Sequence, residues 1–233
     1  MLSYRDISRP VRQLLFVALC AVGAAPAWSQ STAPPAPDAL ARALQRRYET
    51  VRDFKADFVH SYQGGALAKT ITERGTVLVK KPGMMRWTYE GPDAKVFVSD
   101  GHKLYSYLPA DKQVYVGTVP EDQASTPALF LTGKGNLLRD YTVTETPVPA
   151  GAPAGSVALR LVPTHGDRDY DWLVLVVDRE SLVWRMLLAG DRQGGQSSFT
   201  FSHVQENVGL MDREFTFKIP RGADVITDTP PRQ

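Results

Sequence analysis

Thiol chemistry is nearly absent from this chain. Cys20 is the one cysteine among 233 residues, and it lies inside an apolar run near the N-terminus. Without that run no disulfide, thiolate nucleophile or zinc–thiolate site is available. A lipidated cysteine at Cys20 would need a small residue before it, where Leu19 stands. Long hydrophobic runs are also missing. Leu14–Ala24 is the longest, about eleven residues, against the roughly 20 that a membrane span needs. Charge of one sign is not in excess either. Residues 1–29 hold three of the 27 basic and one of the 25 acidic residues, so 24 of each remain beyond them. That balance, with no basic stripe, argues against a nucleic-acid partner.

Catalytic signatures are scarce as well. His60, His102, His165 and His203 are scattered, with no H-E-x-x-H spacing, so no metal site is expected. Asp167, Asp169 and Asp171 alternate beside Arg168 but lack the oxygen count and glycine of a calcium loop, and suit a solvated turn. Gly133-Lys134-Gly135 lacks the rest of a phosphate-binding loop, and no G-x-S-x-G elbow marks a hydrolase. No cofactor is implied.

What is present begins with a leader. Arg5, Arg9 and Arg12 precede the apolar run, and Ala25-Pro26-Ala27 or Ala27-Trp28-Ser29 suits the small-residue cleavage site of an export signal. Residues 1–29 are therefore expected to be a signal peptide and the mature protein to be exported. A flexible Pro-rich spacer follows at 30–37, then a single domain over 38–228 and a frayed tail at 229–233. Asp38 is placed to cap a helix of about fourteen residues in which Leu40, Ala43, Leu44, Tyr48 and Val51 make one apolar stripe.

After Asp53 the period becomes two. Strands are expected at 54–63, 70–80, 84–90, 95–99, 103–107 and 113–119, with Asp100-Gly101 as a hairpin turn. Residues 121–140 break the rhythm. Ser125-Thr126-Pro127 opens a short helix that Gly133 and Gly135 end, and 136–139 form another helical turn. Strands return at 141–146, 156–163, 171–178, 182–189 and 196–205, and a short one at 214–218 ends before Pro220. The fold class is mainly β: an incomplete antiparallel barrel of about eleven strands, with an N-terminal helix and a short helical lid over an apolar cavity. Curling limits the exposed edges of so long a sheet.

Residues 81–107, rich in aromatic and β-branched side chains between tight turns, hold the most informative pattern. Lys80-Lys81-Pro82-Gly83 followed by Arg86-Trp87 resembles the basic-Pro…Trp hallmark of the periplasmic lipoprotein carrier family LolA. Val98-Ser99-Asp100-Gly101 with Leu104-Tyr105-x-Tyr107 is similar to that family's hairpin. Thr126–Leu131 resembles its middle helix, and Phe215-Thr216-Phe217-x-x-Pro220-x-Gly222 its C-terminal strand. The resemblance implies a non-enzymatic periplasmic chaperone, acting as a monomer. Its cargo would be acylated lipoproteins, taken from an ATP-driven release transporter of the inner membrane and passed to an acceptor lipoprotein of the outer membrane.

Met85, Trp87 and Tyr89 share one strand face by alternation, and Leu129, Phe130 and Leu131 come from the lid. These six suit a lipid-binding cavity, and equally an ordinary core. Lys81 stands where the family generally carries Arg, which implies a latch to backbone carbonyls near Tyr48, Leu131 and Thr132, made here without the planar guanidinium fork. A solvated strand-end lysine is the plainer reading. Two other functions fit the sequence. One is a carrier or sensor of another lipid, such as a glycolipid or stress lipoprotein, on the same scaffold. The other is a lipid-modifying enzyme, which requires a nucleophile–base pair in the pocket.

Overall fold

The computed structural model describes residues 37–64, 70–119, 131–133, 136–165 and 170–227, without the side chains of 37 and 38. The expected leader, the middle helix with Leu129 and Phe130, the Asp167–Asp169 turn, Gly135 and the tail 229–233 lie outside the described residues.

Helix α1 (Pro37–Thr50) buries Leu40, Ala41, Leu44 and Tyr48, the period of one helical face, while Arg42 and Arg46 are exposed. Ala41 takes the buried place expected of Ala43, which is half-buried. The strands are β1 (Asp53–Gln63), β2 (Thr70–Lys80), β3 (Met84–Glu90), β4 (Val96–Asp100), β5 (Lys103–Leu108) and β6 (Gln113–Thr118). After α2 (Leu137–Asp140), capped by the Asn136 side chain, come β7 (Tyr141–Thr146), β8 (Ser156–Pro163), β9 (Trp172–Asp178), β10 (Trp184–Gly190), β11 (Gln196–Glu206) and β12 (Asp224–Thr227).

These twelve strands form one open sheet in the order β12-β6-β5-β4-β3-β2-β1-β11-β10-β9-β8-β7. Strand order in the expected incomplete barrel therefore does not follow the chain throughout. The first strand is central, paired to β2 on one side and β11 on the other, and β6 and β7 stand far apart near opposite edges. All neighbours are antiparallel except β12, which lies parallel to β6.

One expected strand is absent. Residues 212–215 form a single 3-10 turn, and 216–220 run without a ladder partner across the outer face of β3–β6. The segment is held there by side chains. Arg86 donates to the carbonyls of Glu214 (2.6 Å) and Thr216 (3.0 Å), Phe215 is fully buried, and Phe217 lies against Tyr105 and Tyr107. The chain then makes β12, four residues beyond Pro220, where no strand was expected.

The inner face carries one continuous apolar cluster. It runs from Tyr141, Leu159 and Leu161 through Leu173, Leu175 and Leu187 to Phe199, Phe201, Phe58, Trp87 and Met85, with α1 packed over it. A second, small cluster of Ala158, Val174, Val176 and Met186 fills the outer face of β8–β10.

Candidate functional site

Alternation on β1, β3 and β11 brings an aromatic patch together on the inner face. Phe58 meets Trp87 at 5.0 Å and Tyr89 at 4.8 Å between ring centroids, both edge-on. Phe199 meets Trp87 at 5.2 Å, and Phe97 lies 5.8 Å from Tyr89. Gly75 makes the close packing of β2 possible. A Cβ there would stand 1.9 Å from the Thr88 carbonyl oxygen and 3.0 Å from the Phe58 ring. Rings that meet edge to face hold their places by shape and quadrupole, and neighbouring rings can move past one another without breaking hydrogen bonds.

One end of this face is closed at the C-terminus of α1. Lys81, on the turn between β2 and β3, donates from Nζ to the Tyr48 backbone carbonyl, and the same ammonium stands 3.2 Å from the centroid of the Tyr48 ring. Burial pushes its pKa down from 10.5 to about 8, against the opposing pull of Glu49 and Glu206. Its methylenes pass over Gly133, whose φ of +82° suits glycine and whose missing Cβ would stand 2.8 Å from Lys81 Cδ. Thr132 joins the same corner through its carbonyl, which accepts from Gly83 N at 3.3 Å, and Leu131 is fully buried in the core cluster. Of the carbonyls expected near Lys81, that of Tyr48 accepts from it, while that of Thr132 accepts from Gly83 N.

Further fastenings at this corner escape a reading of the sequence. Arg47 pairs with Glu206 of β11 and donates to the Ser181 carbonyl at 3.3 Å. The buried carboxylate of Asp53 accepts from the backbone N–H of Val208 (2.7 Å) and Gly209 (3.2 Å), fixing the start of the C-terminal crossing. Lys80 secures the same segment through the Leu210 carbonyl (2.8 Å) and Asp212 (2.6 Å). Each pair is more than 120 residues apart in the chain, so no local pattern marks it.

The other end of the aromatic face is polar. His60 stacks on Phe199 at 4.2 Å, its Nδ1 lies 3.4 Å from Glu73 and 3.4 Å from the Tyr89 hydroxyl, and its Nε2 lies 3.5 Å from Ser197. Lys95 binds Glu73 at 2.6 Å and stands 4.6 Å over the Tyr89 ring. Burial lowers the His60 pKa below its ordinary 6.5, only partly countered by Glu73. Ser197, His60 and Glu73 follow the order of a hydroxyl–imidazole–carboxylate relay. Ser197, however, sits in a strand paired on both sides, with Tyr62 and with Ala189, so the ladder uses the backbone donors an oxyanion hole requires. Among the described residues no group of three metal-ligating side chains converges.

Met85, Trp87 and Tyr89, singled out from the sequence, lie side by side in the aromatic face, 3%, 3% and 7% exposed. His60 and Phe199 were missed. Each occupies the inward register of its strand, and the pairing of β1 with β11 across more than 130 residues is what brings them to Trp87.

Residues 49–218 match the family described as "Outer membrane lipoprotein carrier protein LolA". A protein of Hahella chejuensis named outer-membrane lipoprotein carrier protein is 31% identical over 191 residues, 81% of this chain and 88% of that one. One of Chromohalobacter salexigens with the same name is 30% identical over 188 residues, 81% and 87% of the two chains. Among solved structures, a LolA superfamily protein from Nitrosomonas europaea superposes with a TM-score of 0.42 at 14% identity, over 76% of this chain and 97% of that one, a likeness too distant to carry an argument.

Proposed function

Because the chain belongs to the outer-membrane lipoprotein carrier family LolA, we propose that it is a periplasmic carrier. It takes acylated lipoproteins from the inner membrane's ATP-driven release transporter and hands them to an acceptor lipoprotein at the outer membrane. The observation that carries this reading is the buried aromatic face, continuous with the apolar cluster that α1 enters, the end of that helix being held by Lys81. Exposing an acyl chain of about sixteen carbons to water costs on the order of 10 kcal/mol, at roughly 0.8 kcal/mol per methylene. Crossing an aqueous compartment therefore requires a shelter, and delivery requires one that lets go. Rings and the thioether of Met85 offer large contact area with adaptable shape.

In the empty carrier Lys81 holds α1 down. Entering chains displace the helix and take over the surface it covered. The work is binding and release, and no covalent step is assigned to any residue.

The test is release from inner-membrane vesicles that contain the transporter and a labelled lipoprotein. With ATP and residues 30–233 added, a soluble one-to-one complex is expected. Lipoprotein that stays in the membrane while the protein extracts free lipids would refute the reading in favour of a carrier of another lipid.

A further inference from the structure

Among the described residues one polar hydrogen on the aromatic face has no acceptor, and a second has only a long contact. The indole Nε1 of Trp87 is buried and makes no hydrogen bond, and the rings around it, Phe58, Phe199 and Phe201, offer no conventional acceptor. Buried donors without partners are rare, and each costs about 1–3 kcal/mol, so one in a binding face asks for an explanation.

Tyr89 supplies the second. The only group within reach of its hydroxyl among the described residues is His60 Nδ1, at a long 3.4 Å. That nitrogen also faces the Glu73 carboxylate at 3.4 Å, and Glu73, bonded to Lys95, can only accept. In the tautomer that puts its proton on Nδ1, toward Glu73, the imidazole cannot accept from the tyrosine. Its Nε2 is then left to accept from the Ser197 hydroxyl, and the tyrosine oxygen can accept from Nδ1 but has nothing to donate to.

Trp87 and Tyr89 are two residues apart on one face of β3, a separation of about 7 Å along the strand. Among the described residues no unpaired cation stands beside these two donors; Lys81 lies at the far end of the face. Lys95 is taken up by Glu73 and the Tyr89 ring, and Lys81 by Tyr48. An anionic head would find no counter-charge here, whereas a neutral acceptor would find two donors. Fatty acyl groups carry such an acceptor where the chain joins its head, the ester or amide carbonyl.

We propose that the Trp87 indole N–H and the Tyr89 hydroxyl donate to acyl carbonyl oxygens of the bound lipid, so that the site recognises esters and amides of fatty acids rather than any alkyl chain of equal length. This rests on the reading of the face as an acyl-chain shelter and adds the chemical class that it selects. The donors stay idle while the face is packed on itself, and the carbonyls satisfy them when lipid enters.

The experiment measures displacement of an apolar fluorescent dye from the protein by dipalmitoylglycerol and by its dihexadecyl ether analogue, which lacks the carbonyls. The ester is expected to bind about tenfold more tightly for each donor engaged. Tyr89→Phe, which conserves shape, lowers that ratio severalfold and leaves ether binding unchanged or tighter. Trp87→Phe does the same at its own position. A ratio that falls in one variant alone strikes out the other donor. Equal binding of ester and ether by the unaltered protein, or a ratio unmoved in both variants, overturns the proposal while leaving the shelter reading intact. Failure of both lipids to displace the dye refutes the shelter itself.

Discussion

Strands β7–β10 and the neighbouring β1, β3 and β11 cover the same inner face with different materials. In the first region the buried side chains are mainly aliphatic, with Leu159, Leu161, Leu173, Leu175 and Leu187 at 0–1% exposure; Tyr141 and Trp184, at the starts of β7 and β10, are its aromatic members, and Val174, Val176 and Met186 fill the outer face as well. In the second the inner face is aromatic, a histidine and a carboxylate stand at its end, and the buried Trp87 N–H lacks an acceptor among the described residues. Branched aliphatics interdigitate to crystal-like density and resist change, whereas ring faces meet at few fixed angles and adapt. One half of the sheet is an aliphatic core, and the other is the half to which the proposed carrier function assigns the exchange of contacts with a ligand.

The largest effect should come from the aliphatic half. Leu175→Ala is expected to lower unfolding stability by about 3 kcal/mol, read by denaturant titration, with lipid affinity unchanged in the folded fraction. A drop in affinity without a drop in stability would break the division between the halves. Tyr89→Phe is the counterpart: near-neutral in stability, and visible in ligand selectivity.

Asp53→Ala comes next. It strips the acceptor from the backbone N–H groups of Val208 and Gly209, at a cost of about 1–3 kcal/mol, and loosens the crossing that ends in β12. Hydrogen exchange should quicken in 208–227 before it does in β8–β10. Uniform quickening would mean that the C-terminal crossing and the aliphatic half unfold as one unit.

That crossing also shows what the sequence hides. Phe215 and Phe217 alternate as a strand should, and the expectation of one at 214–218 followed. Alternation reports where side chains are buried, not where backbone groups find partners, and here the Arg86 guanidinium takes the carbonyls of Glu214 and Thr216 in place of a ladder. β12 was illegible for the opposite reason. Its four residues are all exposed and show no burial pattern, and its partner β6 lies more than 100 residues away. Strands such as β1 and β3 were legible because one face of each is buried, which fixes the register of alternation, whereas β8–β10, buried on both faces, were legible as apolar runs between turns. Met85, Trp87 and Tyr89 were legible on those grounds, whereas His60 and Glu73 become meaningful only when β1 and β2 are paired opposite one another.

Lys81→Leu should change stability by less than about 1 kcal/mol, since a half-exposed interaction is screened and Arg47–Glu206 still holds α1. Its effect belongs to the cycle. Cargo uptake is expected to persist while delivery to the outer membrane falls, measured as lipoprotein retained in soluble complex. Unchanged delivery would assign the lysine to the fold alone.

The smallest effect is one of pH, and it follows from the same side chain. With α1 closed, the Lys81 ammonium titrates near pH 8; once the helix lifts, it regains water and its ordinary value of 10.5. Below pH 8 both forms are protonated and the burial of charge opposes closure in full. Between about pH 8 and 10.5 the closed form has released its proton and the open form has not, so rising pH favours closure. The neutral amine still donates to the Tyr48 carbonyl, and the contact survives deprotonation. Glu49 and Glu206, the acids that face the ammonium, act against the trend without cancelling it. Dye uptake by the empty carrier should therefore weaken by about threefold from pH 7.5 to 9.5, a modest change because the group is half exposed. Lys81→Arg keeps its charge throughout this range, so its uptake should not follow pH. The same slope in the arginine variant would place the pH response elsewhere and leave the aromatic half without a titrating latch.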